Sequence, residues 1–312
     1  MRWAGLCRAK KPQFPDSSRG DDLSSDSNEF SFTPIGILKS CYKDKFGVPR
    51  QSGLVKAATA RLELRADLQP EHALAGLEGF SHVWLIWVFH ENRVARYHPK
   101  VHPPRLGGES IGVFATRSPH RPNPIGLSLV EVVAIEDGVL FLSGVDLMDG
   151  TPILDLKPYL PEVENVPEAR EGWAGKAIKP AVKVVWAESA EAELQDWQER
   201  LLRRGDHRES VGLQDLIEQT ILQDPRPLVY RGDPQHEDFN RRVNHAFRLY
   251  DGDVHFRMLA ENEAEIFKIL QMNDEFPALN LHKFAASTNS AATNKSEGSH
   301  GNDCDQARNS KA

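Results

Sequence analysis

LSLVEVVAIEDGVLFLSGV, residues 127–145, decides the fold class of this chain. Two apolar runs, 127–135 and 139–145, flank Glu136-Asp137-Gly138, and that tripeptide predicts a hairpin turn between two strands. In the second run Val139, Phe141 and Ser143 alternate with Leu140, Leu142 and Gly144. The strand is therefore apolar on both faces near its start. Working outward, short apolar runs punctuated by Gly and Pro predict further strands at 34–41, 60–64, 82–89, 111–116 and 153–156. One short helix is expected near 71–77. Many short strands with few helices point to a barrel or sandwich rather than an alternating β-α-β sheet.

Beyond residue 161 the pattern changes. A Pro/Glu/Gly-rich linker runs to Pro180, followed by a predicted strand at 182–186 and helices at 191–203 and 210–222. In the second helix Val211, Leu213, Leu216, Ile217 and Ile221 share one face. Strands follow at 246–250 and 254–259, joined through Asp251-Gly252-Asp253. Residues 1–29 are rich in Ser, Asp, Lys and Pro, and residues from 285 on in Ser, Asn, Ala, Lys and Gly, so both ends read as disordered. No internal repeat is visible. The expected fold is mainly β: a β-barrel domain over 30–165, a smaller α+β domain over 166–284, and disordered termini at 1–29 and 285–312.

The 312 residues are 40% hydrophobic and 27% charged, the composition of a soluble globular protein. The longest apolar run, 83–89, is far too short to cross a bilayer, so no membrane span is expected. Cys7, Cys41 and Cys304 have no metal-ligand spacing, which predicts a reducing compartment with neither zinc nor disulfide. The N-terminus is basic up to Lys11 without a clear apolar segment; a cytoplasmic location is expected, with an organelle leader left open. The net charge is −7, yet residues 31–130 carry 13 Lys/Arg against 7 Asp/Glu, a local balance of about +6. A basic segment inside an acidic protein fits one face meeting phosphates, although a solvated surface would show the same numbers.

Five segments carry residues with chemical potential. GVFATRSPHRPNPIG, residues 112–126, sets Arg117, His120, Arg121 and Asn123 among three prolines. Proline fixes its own φ and restricts its predecessor, so this cation-rich loop loses little entropy on ordering around a ligand. VPRQSGL, residues 48–54, places Arg50 and Gln51 on a turn pinned by Pro49. LEGFSHVWLIWVFH, residues 77–90, is a buried strand ending in His90 and Glu91; a histidine there also serves as an ordinary structural residue. HPPRLGG, residues 102–108, is a second stiff basic loop, in which Arg105 suits phosphate or a carbonyl cap. DGTPILDLKPYLP, residues 149–161, puts Asp155 and Lys157 on one side of a short strand, where a simple pairing of Asp155 with Lys157 or an arginine is an equal alternative. Dinucleotide, P-loop, HExxH and GxSxG signatures are all missing.

Taken in order, these five segments resemble the TsaA-like family, also called TrmO. DPRPLVYRG (224–232), DFNRRV (238–243) and HFRMLAE (255–261) extend a looser resemblance into the second block. The resemblance implies a β-barrel methyltransferase that uses S-adenosylmethionine to methylate N6 of threonylcarbamoyladenosine at position 37 of tRNA. It implies a homodimer with the cofactor near the subunit interface, the tRNA anticodon loop as partner, and no metal. By position, Pro49, Arg50 and Gln51 match the first cofactor loop, and His90 and Glu91 the second. Arg117 falls in the arginine-rich loop, Leu127 just beyond it, and Thr151, Pro152, Ile153 and Leu154 in the last segment. Bacterial members carry His-Gln where this chain has His90-Glu91, so a backbone contact at Glu91 fits better than a side-chain one. Arg105, Arg121 and Asn123 are the candidate substrate contacts. The target nitrogen must shed a proton, and Asp155 and His90 are the candidate acceptors. An alternative from another class is a catalytically inactive tRNA- or ligand-binding barrel. A hydrolase using His90 and Asp155 fits less well, because no nucleophile is paired with a base.

Overall fold

The turn at residues 136–138 forms, and both of its central residues adopt left-handed backbone, Asp137 at φ 50° and Gly138 at φ 72°. Such a two-residue turn matches the twist of the strands it joins, which holds the hairpin in register. The computed structural model describes residues 30–92, 97–103, 106, 109–176, 182–226, 244–260 and 262–271. Its elements run β1 (Gly36–Ser40), β2 (Thr59–Leu64), α1 (Pro70–Ala73), β3 (His82–Val88), β4 (Lys100–Val101), β5 (Ile111–Gly112), β6 (Ile125–Glu136), β7 (Val139–Ser143), β8 (Thr151–Pro158) and α2 (Pro161–Glu164). After these come β9 (Lys183–Trp186), α3 (Glu188–Arg203), α4 (His207–Ser210), α5 (Leu213–Leu222), β10 (Asn244–Leu249), β11 (Gly252–Ala260) and β12 (Glu263–Gln271).

Six strands close into a barrel in the order β1-β2-β7-β6-β3-β8, with β8 returning to β1. Every pairing around the ring is antiparallel. Period-2 alternation sends Leu38, Leu62, Val83, Leu85, Val130, Leu140, Leu142 and Ile153 inward, and all are buried. The outward residues of the apolar β3 are covered in part: the Trp84 indole donates to Glu164 Oε1 at 2.7 Å and meets the Tyr159 ring edge-on. Gly36 is required where β1 crosses β2, because a Cβ there would lie 2.4 Å from the Glu63 carbonyl oxygen.

The later elements form a four-stranded sheet, β10-β11-β12-β9, in which β9 runs parallel to β12. α3 buries Ala190, Leu194, Trp197 and Leu201 at helical spacing, and α5 buries Leu213, Leu216, Ile217 and Ile221. This sheet is stitched to the barrel. Tyr42 bridges to Leu249, the Tyr250 amide donates to the Cys41 carbonyl at 2.7 Å, and the hydroxyls of Thr59 and Tyr250 meet at 2.7 Å. The Arg208 guanidinium stacks 3.9 Å from the Phe141 ring centre and pairs with Glu136. Phe141 is one of the outward apolar residues of β7, and this contact is what covers it.

Four local expectations need correction. The strand expected at 111–116 ends at Gly112, and Val113–Ala115 form a 3-10 turn closed by the Thr116 hydroxyl on the Val113 carbonyl at 2.7 Å. The helix expected at 71–77 is the short α1, with a separate 3-10 turn at Leu77–Gly79. Val211 is exposed, because the left-handed Gly212 caps α5 and leaves Val211 ahead of it. β12 was not foreseen. Residues 1–29 and 272–312, including the expected tail from 285, lie outside the described residues. Among the described residues no helix is long and apolar enough to cross a membrane.

Candidate functional site

An all-antiparallel barrel sends alternate connections to opposite ends. The connections 41–58 (β1 to β2), 89–124 (β3 to β6) and 144–150 (β7 to β8) therefore emerge together at one end. These hold VPRQSGL, His90-Glu91, the proline-rich arginine loop and the start of the DGTP segment. Chain topology alone thus gathers the segments that composition singled out.

At this end lies a cleft of about 1440 Å³. Val48–Gln51 line one side and Phe114–Arg121 another, and Trp87, Phe89, Gly126, Leu127 and Asp146 line it as well. The two basic loops meet: Arg117 Nη1 donates to Gln51 Oε1 at 2.5 Å. The proline-rich loop is held from within. Arg121 Nη1 donates to the Thr116 carbonyl at 2.8 Å, the Arg121 amide to the Pro119 carbonyl at 2.9 Å, and Asn92 Nδ2 to that same carbonyl at 2.9 Å. Its stiffness therefore comes from these bonds as well as from its prolines. Phe114 is 71% exposed beside the cleft, with the Arg121 guanidinium 5.8 Å from its ring centre.

Asp146 was missed by sequence reading. It sits just past β7, where the Trp87 indole donates to Ser128 Oγ at 3.0 Å and Ser128 Oγ donates to Asp146 Oδ1 at 2.6 Å. Burial pushes its carboxyl up to about 6, against the hydrogen bonds from Ser128 and the backbone and the charge of Arg117, which pull it down. The residue as a whole is half-buried and lines the cleft. Gly126 makes the arrangement possible. A Cβ on it would lie 2.3 Å from Trp87 Cε2, so only glycine lets the indole lie across β6 toward Ser128.

Other candidates lie elsewhere. His90 is half-buried beyond Phe89, outside the cleft lining; burial pushes its imidazole below the ordinary range, with Glu91 3.9 Å away opposing that shift. Thr151, Pro152 and Ile153 are buried in β8, paired across β1, and Leu154 follows them down the strand. Asp155 lies farther along β8, opposite Ile86, and its carboxylate pairs with Lys157 at 2.9 Å. Pro49, Arg50, Gln51, Arg117, Arg121 and Leu127 line the cleft, whereas Asn123 is exposed outside it. Arg105 and the segments 227–232 and 238–243 lie outside the described residues. Among the described residues, no group of three His, Cys, Asp or Glu is placed to hold a metal ion.

Comparison with known proteins adds a second line of argument. Residues 37–165 match the tRNA-methyltransferase O N-terminal domain, and residues 179–272 match the TrmO C-terminal domain. A Pseudomonas aeruginosa protein named for S-adenosylmethionine-dependent methyl transfer is 45% identical over 227 residues, 72% of this chain and 91% of its own length. An Escherichia coli protein named tRNA (adenine(37)-N6)-methyltransferase is 42% identical over 236 residues, 74% of this chain and 94% of its own length. A crystal structure of TrmO from Pseudomonas aeruginosa superposes with a TM-score of 0.62 at 37% identity, covering 78% of this chain and 98% of that one.

Proposed function

The chain belongs to the tRNA-methyltransferase O family, and from that membership we propose that it methylates N6 of adenosine 37 in tRNA with S-adenosylmethionine as methyl donor. In this reading the adenosine is already threonylcarbamoylated, the protein works as a homodimer in the cytoplasm, and the anticodon loop is its partner surface. The barrel domain, 30–165, carries the chemistry, and a smaller domain over 166–284 follows it.

The observation that carries the proposal is the Arg117–Gln51 bridge across a cleft that also holds a half-buried carboxylate and an aromatic wall. That donor set suits an amphipathic nucleoside with a carboxylate tail. A planar guanidinium pairs two carboxylate oxygens at once, which fits Arg117 and Arg50 to the tail of the cofactor. Trp87, Phe89 and Leu127 give the nucleoside an apolar wall and keep water from it. The cofactor supplies a methyl group already activated on a sulfonium, so no metal or covalent nucleophile is needed. What remains for the protein is alignment, and well-oriented reactants reach effective molarities on the order of 10⁵–10⁸ M. A stiff, internally bonded loop is built for that task. Anticodon-loop bases are unstacked at small cost, so the target reaches a pocket without duplex melting. Arg121 and the exposed Phe114 ring lie beside the cleft for phosphate or base contact. Outward Ile125, Leu127 and Val133 give β6 an exposed apolar stripe suited to a second copy.

The test is mass spectrometry of nucleosides from threonylcarbamoylated tRNA incubated with the protein and S-adenosylmethionine. A gain of one methyl on threonylcarbamoyladenosine is expected. Its absence, or equal methylation of tRNA lacking the threonylcarbamoyl group, would refute the substrate assignment.

A further inference from the structure

We infer that Asp146 is the catalytic residue that takes the proton from the target nitrogen. This deepens the methyltransferase reading and rests on it. Three observations carry it. Asp146 and Glu171 are the carboxylates that line the cleft, and the charge of Arg117 acts on Asp146. It is held from behind: Trp87 donates to Ser128 and Ser128 donates to Oδ1, a relay that fixes the carboxyl and leaves it an acceptor. Its orientation also depends on Gly126, since any side chain there displaces the indole that starts the relay.

The chemistry needs such a group. The target nitrogen carries a carbamoyl substituent, which withdraws its lone pair and makes it a weak nucleophile. As the methyl carbon bonds to nitrogen, its bond to sulfur breaks and the sulfur keeps that electron pair. The nitrogen would be left cationic unless its proton departs, so the proton passes to Asp146 and then through the open cleft to water. A carboxyl raised to about 6 is mostly ionised at neutral pH yet more basic than an ordinary aspartate, the balance general-base catalysis favours. Of the groups that act on it, Arg117 is charged, and Arg50, Arg121, Lys100 and Glu171 line the same cleft. Ser128 and the Ser52 amide are neutral donors, and the Tyr42 phenol, pushed well above 10 by burial, stays neutral. Asp155 is engaged by Lys157, and His90 stands outside the cleft lining.

The experiment uses the full chain, threonylcarbamoylated tRNA and single-turnover conditions from pH 5 to 8.5, for the parent, Asp146→Asn and Asp146→Glu. Affinity for S-adenosylhomocysteine is measured alongside by calorimetry. The Asn variant is expected to lose about 10²–10⁴-fold in rate, to lose the acid limb the parent shows near pH 6, and to bind S-adenosylhomocysteine within about twofold of the parent. The Glu variant recovers part of the rate with a displaced limb. The inference is overturned if the Asn variant keeps the parental rate and limb. It is equally overturned if affinity falls in step with rate, which would make Asp146 a cofactor anchor, or if the limb vanishes in His90→Gln or Asp155→Asn instead. An inactive parent overturns the functional reading and this inference with it; an active parent confines any failure to Asp146.

Discussion

Replacing Asp146 by asparagine should make the protein more stable at alkaline pH and slightly less stable in acid. The carboxyl ordinarily titrates near 3.8 and is raised to about 6 in the folded chain, chiefly by burial. That difference of about two pH units, at about 1.4 kcal/mol each, is a cost to folding of roughly 3 kcal/mol. The sign follows from proton uptake. Between about pH 4 and 6 the folded state binds a proton that the unfolded state does not, so stability falls as pH rises through this window. Above pH 6 the full cost is present; below pH 4 it is gone. Asparagine removes the charge and keeps an oxygen to accept from Ser128. It has one acceptor oxygen where the carboxylate has two for the Ser128 hydroxyl and the Ser52 amide, and the lost acceptor costs about 1 kcal/mol. The net expectation is a gain of about 2 kcal/mol at pH 8 and a loss of about 1 kcal/mol at pH 4. Urea unfolding followed by tryptophan fluorescence at both pH values reads it directly. Equal destabilisation at pH 4 and pH 8 would refute the reasoning, because Asp146 would then be a structural anchor whose charge the fold does not oppose.

Three further outcomes are expected. Arg117→Ala should retain the parental circular dichroism and melting behaviour while methyl transfer disappears; parental turnover would remove that loop from the site. Gly126→Ala forces the Trp87 indole aside and should cost about 1–3 kcal/mol by overpacking; a partial recovery in Gly126→Ala/Trp87→Leu, measured by denaturant midpoint, would locate the clash. Asp251 is buried, accepts from Trp197 and Arg204, and pairs with Arg200 at 2.9 Å; Asp251→Ala leaves Arg200 without that carboxylate, while Arg204 keeps Asp206, and should cost about 3 kcal/mol in thermal or urea unfolding.

Much of the barrel could be read from local pattern. The hairpin at 136–138 and the strands at 60–64, 82–89 and 127–135 follow from alternation and turn chemistry, which act between neighbours. β12 could not be read this way. Glu263, Glu265 and Lys268 suit a solvated helix as well as a strand; although β11 pairs with it locally, its other neighbour, β9, lies about 80 residues earlier. The 3-10 turn after Gly112 is closed by Thr116, whose amide and hydroxyl both donate to the Val113 carbonyl, a local arrangement that no periodicity announces. The site divides along the same line. Arg50, Gln51 and Arg117 stand out because cations and amides on proline-braced loops have little packing use, and the fold brings them to one cleft. Asp146 is one aspartate in an unremarkable turn. Its environment comes from Ser128, 18 residues away, and from Trp87, 41 residues before that serine. Nothing local marks a carboxyl whose character is conferred by groups that only folding brings near.

The seam between barrel and second sheet has a thermal consequence. Backbone bonds cross it at residues 41–43 and 248–250, a tyrosine hydroxyl and an arginine ring stack cross it too, and apolar packing is continuous through it. Neither half retains a finished surface without the other. Heat should therefore take the two apart in a single cooperative step, and a chain clipped ahead of β9 would be left with a sticky flank rather than a smaller working enzyme.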